Sequence, residues 1–341
     1  MKGRVIALDS LDGREAAALI EDGRLSDLLI DSDLPRPGTI YRAIVERPMK
    51  GQGGLFVRTP DGTGFLRQVK GLSPGQPILV QVTGYAEPGK AIPVTARILF
   101  KSRFAIVTPG APGLNLSRAI RDDDRRDQLT LLAKAGMDGR AGGLILRSSC
   151  ETASDDDISH DIALMADLAE AVAADADGTE AEKLTEGEGP HDLAWRDWAA
   201  EALWSDQEGA FAEHGVPEMV DALRRADVGL PGGASMAIEP TRALIAVDVN
   251  TGADPSPAAG LKANLACARE LPRQLRLRGL GGQVVLDLAP MPKKDRRSFE
   301  TALRSAMRKD PVETTLVGWT PLGHYEMQRK RDRIPVAQVL P

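Results

Sequence analysis

The first thirty residues move straight into an alternating segment and then run in short apolar stretches divided by glycine turns. RVIALD, AAALIEDG and GRLSDLLID each read as a strand, with glycine turns between them, and together they predict an antiparallel meander that Pro35 and Pro37 end. From 38 to 99 the apolar runs are TIYRAIV, GGLFVRT, TGFLRQV, PILVQVTGY and IPVTARI. They are punctuated by Gly51, Gly53, Gly54, Asp61–Gly62, Pro74–Gly75 and Pro88–Gly89. Five short strands with such turns predict a small closed barrel. The oligonucleotide-binding (OB) type fits, and so do other five-stranded barrels.

Beyond residue 100 the pattern becomes α/β. RFAIVTP and GGLILRSS are strand candidates, with a charged helix over Asp122–Ala135 between them. Residues 151–192 are acidic. Ile162, Met165, Leu168 and Val172 predict a helix around Ile158–Ala174, and 175–192 reads as a solvated loop or linker. Residues 193–229 read as mostly helical, GLPGG as a turn and ASMAIEP as a strand. The last third is the most regular. RALIAVDVN and GGQVVLDLAP are strands separated by a helical stretch that Pro272 interrupts or kinks. DRRSFETALRSAMRKD is an amphipathic helix with Phe299, Leu303, Ala306 and Met307 inward, and TTLVGWT a further strand; Trp319 and Tyr325 read as core.

Strand, helix, strand predicts a parallel βαβ unit, whose ligands gather at the carboxyl ends of its strands. Asp248 and Asp287 stand near those ends, and Asn250 lies two residues beyond Asp248. Two carboxylates on one rim repel unless a cation sits between them. Mg²⁺, which takes carboxylate and water ligands, would do so, and it would activate a water against a phosphoryl group. A strand-end Asp is also a common cap or turn former, and Asn250 could begin an Asx-turn with Thr251–Gly252.

Composition narrows the setting. Aromatics are only 4% of the 341 residues, so the core is aliphatic. Cys150 and Cys267 are the only cysteines, which excludes a disulfide framework and CxxC metal spacing. Both read as buried structural thiols. His160, His191, His214 and His324 form no ligand cluster and read as structural or solvated. The N-terminus is not a signal peptide, and no apolar run reaches membrane-spanning length, so a cytoplasmic protein is expected.

The net charge of −6 is unevenly spread. Between Glu151 and Asp192 there are 14 acidic residues and one basic, Lys183, while the rest of the chain carries +7. Arg269–Arg333 holds 15 basic residues against 8 acidic, which favours a polyanionic partner.

Three ordered stretches, ALIAVDVNTG, ARELPRQLRLRGLGGQVVLDLAPM and LGHYEMQRKR, closely resemble the ribonuclease E/G family. LPGGASMAIEPTRAL resembles the approach to its catalytic strand, GTIYRAIV, GLFVRT and TGFL its RNA-binding barrel, and RFAIVTP and GGLILRSS its sensor region. The resemblance implies a ribonuclease H-like and nuclease-type α/β core with an inserted five-stranded OB-type β-barrel. It implies N-terminal core strands over 1–37, the barrel over 38–99, a sensor-like region over 100–150, an acidic divergent insert or linker over 151–209 and a catalytic α/β domain over 210–341. It also implies an endoribonuclease acting on single-stranded RNA in RNA decay and ribosomal RNA processing, with Mg²⁺ or alternatively Mn²⁺ as cofactor. The resemblance puts the metal-binding aspartates on Asp248 and Asp287, and the supporting asparagine on Asn250. RNA contacts fall on Phe56, Phe65 and Lys90, and a 5′-monophosphate pocket on Arg147 and Ser148. Exposed phenylalanines can stack on bases of any sequence. The same two rings could instead fill the barrel core, and Arg147 could pair with an acidic neighbour. Arg47, Lys50, Arg58 and Arg67 could add phosphate contacts, and Arg273, Arg276 and Arg278 could track the RNA backbone or form a solvated face.

The pattern departs from the family in four places. No zinc-link cysteines follow EMQRKR, so a monomer or a dimer without a zinc-link is expected. Residues 151–209 are unlike the family's usual content, and the acidic stretch is expected to cover the basic RNA surface when no substrate is bound. A pocket arginine falls on Glu313 and a pocket glycine on Ser102, which argues against 5′-monophosphate preference. Pro290 replaces a further aspartate. The alternative reading is a catalytically weak or inactive RNA-binding protein of the same family.

Overall fold

Two Asp-Gly turns set the first sheet. Asp12–Gly13 and Asp22–Gly23 all take positive φ, the backbone of a tight hairpin turn whose twist matches the flanking strands. Arg4–Leu11, Arg14–Glu21 and Arg24–Ile30 accordingly form the predicted antiparallel meander, and Leu203–Ser205 adds parallel to its first strand. The computed structural model describes residues 3–49, 53–67, 71–198 and 201–340, so Lys50 lies outside the described residues. The chain divides into two compact units, Met1–Ser32 with Glu201–Pro341, and Asp33–Ala200.

The first unit holds the meander and a six-stranded mixed sheet. Its order is Asp227–Gly229, Ser235–Pro240, Ile245–Asn250, Gly282–Asp287, Tyr325–Arg329 and Thr314–Trp319. Only Ile245–Asn250 and Gly282–Asp287 pair in parallel, as their connecting helix requires. That helix, Ala259–Leu277, runs on through Pro272 rather than breaking there. One sheet face is apolar: Val247, Val249, Val284, Leu286, Tyr325 and Met327 pack with Leu271 and Leu275 of this helix and with Phe299, Leu303 and Met307 of the helix Arg296–Lys309. Ala306 of that helix is only partly buried. Phe299, Trp319 and Tyr325 meet edge-on or tilted, with ring centroids 5.2–5.9 Å apart.

The second unit contains the barrel. Ile40–Met49, Gly54–Thr59, Gly62–Arg67, Ile92–Thr95 and Pro77–Val82 follow one another round, and Pro77–Val82 pairs back on Ile40–Met49, closing five strands in the manner of an OB-type fold. Tyr41, Val45, Leu55, Val57, Leu66, Val80 and Val94 fill it. A smaller sheet, Gly113–Leu116, Gly143–Leu146, Ala105–Thr108 and Phe100–Lys101, packs against helices Asp123–Gly136 and Asp155–Ala174.

The span 175–192 differs from its predicted loop. Glu182–Thr185 is a strand paired antiparallel to Ile40–Arg42 of the barrel, and the helix Pro190–Asp197 begins soon after it. Charge fixes the strand there. Buried Arg42 donates to the carbonyls of Asp175 and Glu180 and pairs with Glu182, while Lys183 lies 2.9 Å from Asp61. The acidic helix Asp155–Ala174 is paired within its own unit too, through Arg125–Asp155 and Arg140–Asp167, both at 2.7 Å. Three carboxylates of the acidic stretch, Asp155, Asp167 and Glu182, thus have cationic partners within this unit. Residues 193–229, expected to be mostly helical, also contain the strands Leu203–Ser205 and Asp227–Gly229.

Candidate active site

Parity along two strands brings the predicted carboxylates together. In Ile245–Asn250 the odd positions 245, 247 and 249 are buried, which turns Asp248 and Asn250 to the opposite, exposed face. In Gly282–Asp287 positions 284 and 286 are buried and Asp287 is exposed. The parallel register sets Asp248 directly opposite Asp287, on strands that neighbour at about 4.8 Å. Asn250 Nδ2 donates to Asp248 Oδ2 at 2.8 Å, so the asparagine acts through the carboxylate rather than through an Asx-turn alone.

The loops leaving these strands are held by close backbone approach. Gly252, at φ +64°, sits where any Cβ would strike the Gly233 carbonyl, and Gly260 would likewise strike the Pro290 carbonyl. Buried Asn264 locks the second loop with a reciprocal pair: its Nδ2 donates to Ala289 O at 2.8 Å, and Ala289 N–H donates to its Oδ1 at 3.0 Å. Ala289 is two residues beyond Asp287. Sequence reasoning passed over Asn264; a polar residue inside the apolar face of a helix is the available signal.

His324 was also missed. Leu286 pairs with Tyr325 across the antiparallel strands, so the preceding histidine falls level with Asp287. Its Nδ1 lies 3.3 Å from Asp287 Oδ1 and is shielded from solvent without a well-directed hydrogen bond. The signal lay in LGHYEMQRKR, a stretch whose strand character the apolar pattern did not reveal. His324 is thus half-buried, with its Nδ1 turned toward Asp287.

The barrel presents Phe56 and Phe65 outward. Leu55, Val57 and Leu66 take the core, and the two phenylalanines pair across strands on the other face with ring centroids 5.5 Å apart. Arg47 lies over Phe56 at 5.5 Å and Arg67 over Phe65 at 5.9 Å, within cation–π range. Gly54 makes room for this: a Cβ there would meet Phe65 Cζ at 2.5 Å. Arg58 and Lys90 are exposed on the same barrel.

The remaining predicted contacts are drawn inward. Arg276 and Arg329 both pair with the buried Asp310; Arg276 also lies 3.3 Å from buried Asp27, to which Arg333 bonds at 3.0 Å. Arg273 pairs with Glu270 and donates to Leu25 O, and Arg278, 7% exposed, donates to Gln274 and to Arg225 O. Arg273, Arg276 and Arg278, expected to track an RNA backbone, are thus engaged within their own unit: the first two join the helix to the meander, and Arg278 holds Gln274 and the Arg225 carbonyl. The i, i+3 spacing of 273 and 276 among buried leucines would have suggested this. Arg147 is likewise engaged, donating to Ser102 O at 2.6 Å and pairing with Asp197 at 2.5 Å, while Ser148 is exposed. Ser102 Oγ bonds Asp161 at 2.5 Å.

The donor set at the rim suits a hard divalent cation. Among the described residues no group of three or more His, Cys, Asp or Glu side chains is arranged to hold a metal. Asp248 and Asp287 are the side chains that could hold Mg²⁺, an ion that takes one or two carboxylates and keeps several waters.

A closed five-strand barrel with outward aromatics, together with a carboxylate pair on adjoining parallel strands, defines a class: mixed α/β proteins that carry an OB-type barrel. Comparison with known proteins gives the family. The ribonuclease E/G family profile matches residues 100–203 and 195–332. The chain is 26% identical to Ribonuclease E of Nostoc over 93% of its length, and to Ribonuclease G of Salmonella typhimurium over 95%. It is 25% identical to Ribonuclease G of Escherichia coli over 95%. It spans 54% of the Nostoc relative and 79% of each of the other two. The chain belongs to the ribonuclease E/G family.

Proposed function

We propose that this protein is a metal-dependent endoribonuclease that hydrolyses single-stranded RNA to 5′-phosphate and 3′-hydroxyl ends, in RNA processing or decay. The observation that carries the reading is the register of Asp248 against Asp287, two like charges set opposite one another on an exposed rim. Relatives named Ribonuclease E and Ribonuclease G support it. A ribonuclease H-like and nuclease-type α/β core, ribosomal RNA precursors as substrates, a cytoplasmic location and a monomer or a dimer without a zinc-link complete the proposal.

Asp248 and Asp287 would hold Mg²⁺, or Mn²⁺ in its place. When bound, that ion supplies positive charge toward a phosphoryl group and lowers the pKa of a water. Asn250 orients the Asp248 carboxylate by its 2.8 Å hydrogen bond, and Asn264 holds the chain beyond Asp287. Phe56 and Phe65 would stack on successive bases, with Arg47, Arg58, Arg67 and Lys90 near enough in the barrel to meet phosphates.

The test is incubation of purified protein with a long single-stranded RNA and Mg²⁺. The expected products are internal fragments with 5′-phosphates, lost in chelator and in Asp248→Asn or Asp287→Asn. Cleavage that persists in both variants would remove the carboxylates from the mechanism. RNA that is bound and left whole by the unaltered protein would favour the non-catalytic relative.

A further inference from the structure

Each carboxylate of the rim has one oxygen facing a nitrogen donor. Asp248 Oδ2 accepts from Asn250 Nδ2 at 2.8 Å. Asp287 Oδ1 lies 3.3 Å from His324 Nδ1, an atom closed off from solvent that has no hydrogen-bond partner elsewhere. Among the described residues the other two oxygens, Asp248 Oδ1 and Asp287 Oδ2, make no hydrogen bond or ion pair.

The chain fixes the approach of His324. Tyr325 pairs with Leu286 and with Trp319, which sets the histidine level with Asp287 where the hairpin of Thr314–Trp319 and Tyr325–Arg329 turns. Thr320 closes that turn. Its N–H donates to the His324 carbonyl at 2.8 Å, and its hydroxyl accepts from the His324 N–H at 3.1 Å. What the contact between His324 and Asp287 lacks is direction, not distance. The terminal torsion of an aspartate is soft and this carboxylate is 69% exposed, so a turn of Asp287 alone aligns it. An imidazole carries Nδ1–H in one neutral tautomer and in its charged form, so the donor does not depend on a change of charge.

The number of oxygens a carboxylate can offer decides which ion it suits. Ca²⁺ takes about six to eight oxygens and accepts both from one carboxylate, whereas Mg²⁺ demands an octahedron and keeps several waters. Mn²⁺ shares the octahedral preference. A carboxylate with one oxygen held by a neighbouring nitrogen has only the other to give. His324 acts through Asp287 rather than as a ligand itself, since among the described residues no three His, Cys, Asp or Glu side chains are arranged to hold a metal.

We infer that His324 is a positioning residue that holds Asp287 by Oδ1, as Asn250 holds Asp248 by Oδ2, and that the two together make the rim select a small octahedral ion, Mg²⁺ or Mn²⁺, against Ca²⁺. The inference rests on the reading of these aspartates as the ion's ligands; it does not require RNA cleavage.

Ion titration of the full chain without RNA, at one pH, tests it, with Mn²⁺ followed by its paramagnetic resonance signal and Ca²⁺ as competitor. The unaltered protein should bind Mn²⁺ and yield it only to a large excess of Ca²⁺. Asp248→Asn should abolish the binding, which assigns it to the rim. His324→Leu frees Asp287 Oδ1. Its Mn²⁺ affinity should fall by about tenfold, the lower end of the loss when an outer partner of a ligand is removed, and less Ca²⁺ should compete. His324→Asn puts its amide nitrogen where Nδ1 stood and should keep the unaltered preference. His324→Gln carries its nitrogen one bond further out and should behave as the leucine variant does, a result that stands even if the leucine variant does not fold. General damage to the rim would weaken both ions alike; release of the held oxygen changes their ratio. Mn²⁺ binding that Asp248→Asn removes, with an ion ratio indifferent to residue 324, overturns the inference and leaves the ribonuclease reading standing. An ion ratio that follows residue 324 in a protein that leaves RNA uncut upholds the inference and removes the ribonuclease reading. No Mn²⁺ binding, or binding untouched by Asp248→Asn, overturns the inference.

Discussion

The rim of the six-stranded sheet and the guanidinium clusters use charge in opposite ways. At the rim Asp248 and Asp287 face each other exposed, with Asn250 and His324 as their polar company. Around Asp310 the carboxylate is enclosed and bonded by two cations, while Asp197, exposed at the surface, is bonded by two as well. Charge left open is available to a ligand, whereas charge closed internally holds the fold. Arginine-rich sequence alone does not separate the two, because a guanidinium suits a phosphate and a carboxylate equally well.

The largest effect should come from breaking the open pair. Asp248→Asn and Asp287→Asn are each expected to lower the cleavage rate by on the order of 10³-fold, the scale of lost preorganised charge at a reacting phosphoryl group. RNA affinity measured in chelator should stay within a few-fold of the unaltered protein, since the barrel is untouched. An equal loss of affinity would make these aspartates binding residues and erase the contrast.

Breaking the closed network should act on stability instead. Asp310→Ala strands Arg276 and Arg329, the latter only 1% exposed, and is expected to cost about 3–5 kcal/mol in denaturant unfolding. Arg276→Gln should lower stability yet leave the salt dependence of RNA binding unchanged. A shallower salt slope in that variant would return Arg276 to the RNA surface.

This division explains how far the sequence could be read. Barrel strands and the βαβ unit were legible because their signals are local: short alternating runs between glycine turns, and apolar strands ending in Asp. The outward placement of Phe56 and Phe65 follows from period-two parity once Leu55, Val57 and Leu66 claim the core. Arg147, Arg273 and Arg276 were not legible in the same way, because their partners Asp197, Leu25 and Asp310 are distant in the chain. His324 and the strand Glu182–Thr185 were hidden for the same reason; each acquires meaning only from the strand beside it.

The barrel face gives a graded test of openness. Phe56→Ala or Phe65→Ala should weaken single-stranded RNA binding by about 1–3 kcal/mol, roughly ten- to a hundredfold, the usual contribution of one stacked base. Arg67→Gln should reduce the salt slope by about 0.7, one phosphate contact to a single strand. Gly54→Ala should displace the Phe65 ring and also strain the strand pair, since its Cβ would meet the Leu66 carbonyl at 2.9 Å, so binding and stability should both fall. Full affinity after both phenylalanine substitutions would mean that the outward rings are structural.

The smallest effect concerns the closed cluster and acid. Burial alone would raise the Asp197 pKa, but its bonds to Arg196 and Arg147 and the charges of Arg196 and Lys101 outweigh burial and hold it well below the usual carboxylate range. A folded pKa below the unfolded one, near 3.9, means that Asp197 contributes its stability above about pH 4 and loses it as pH falls toward the folded value. Asp197→Asn cannot titrate. The variant should be less stable than the unaltered protein at neutral pH, and the gap between their unfolding free energies should narrow steadily below about pH 4. A constant gap across that acid range would show that the Asp197 charge does not carry the contact with Arg147 and Arg196.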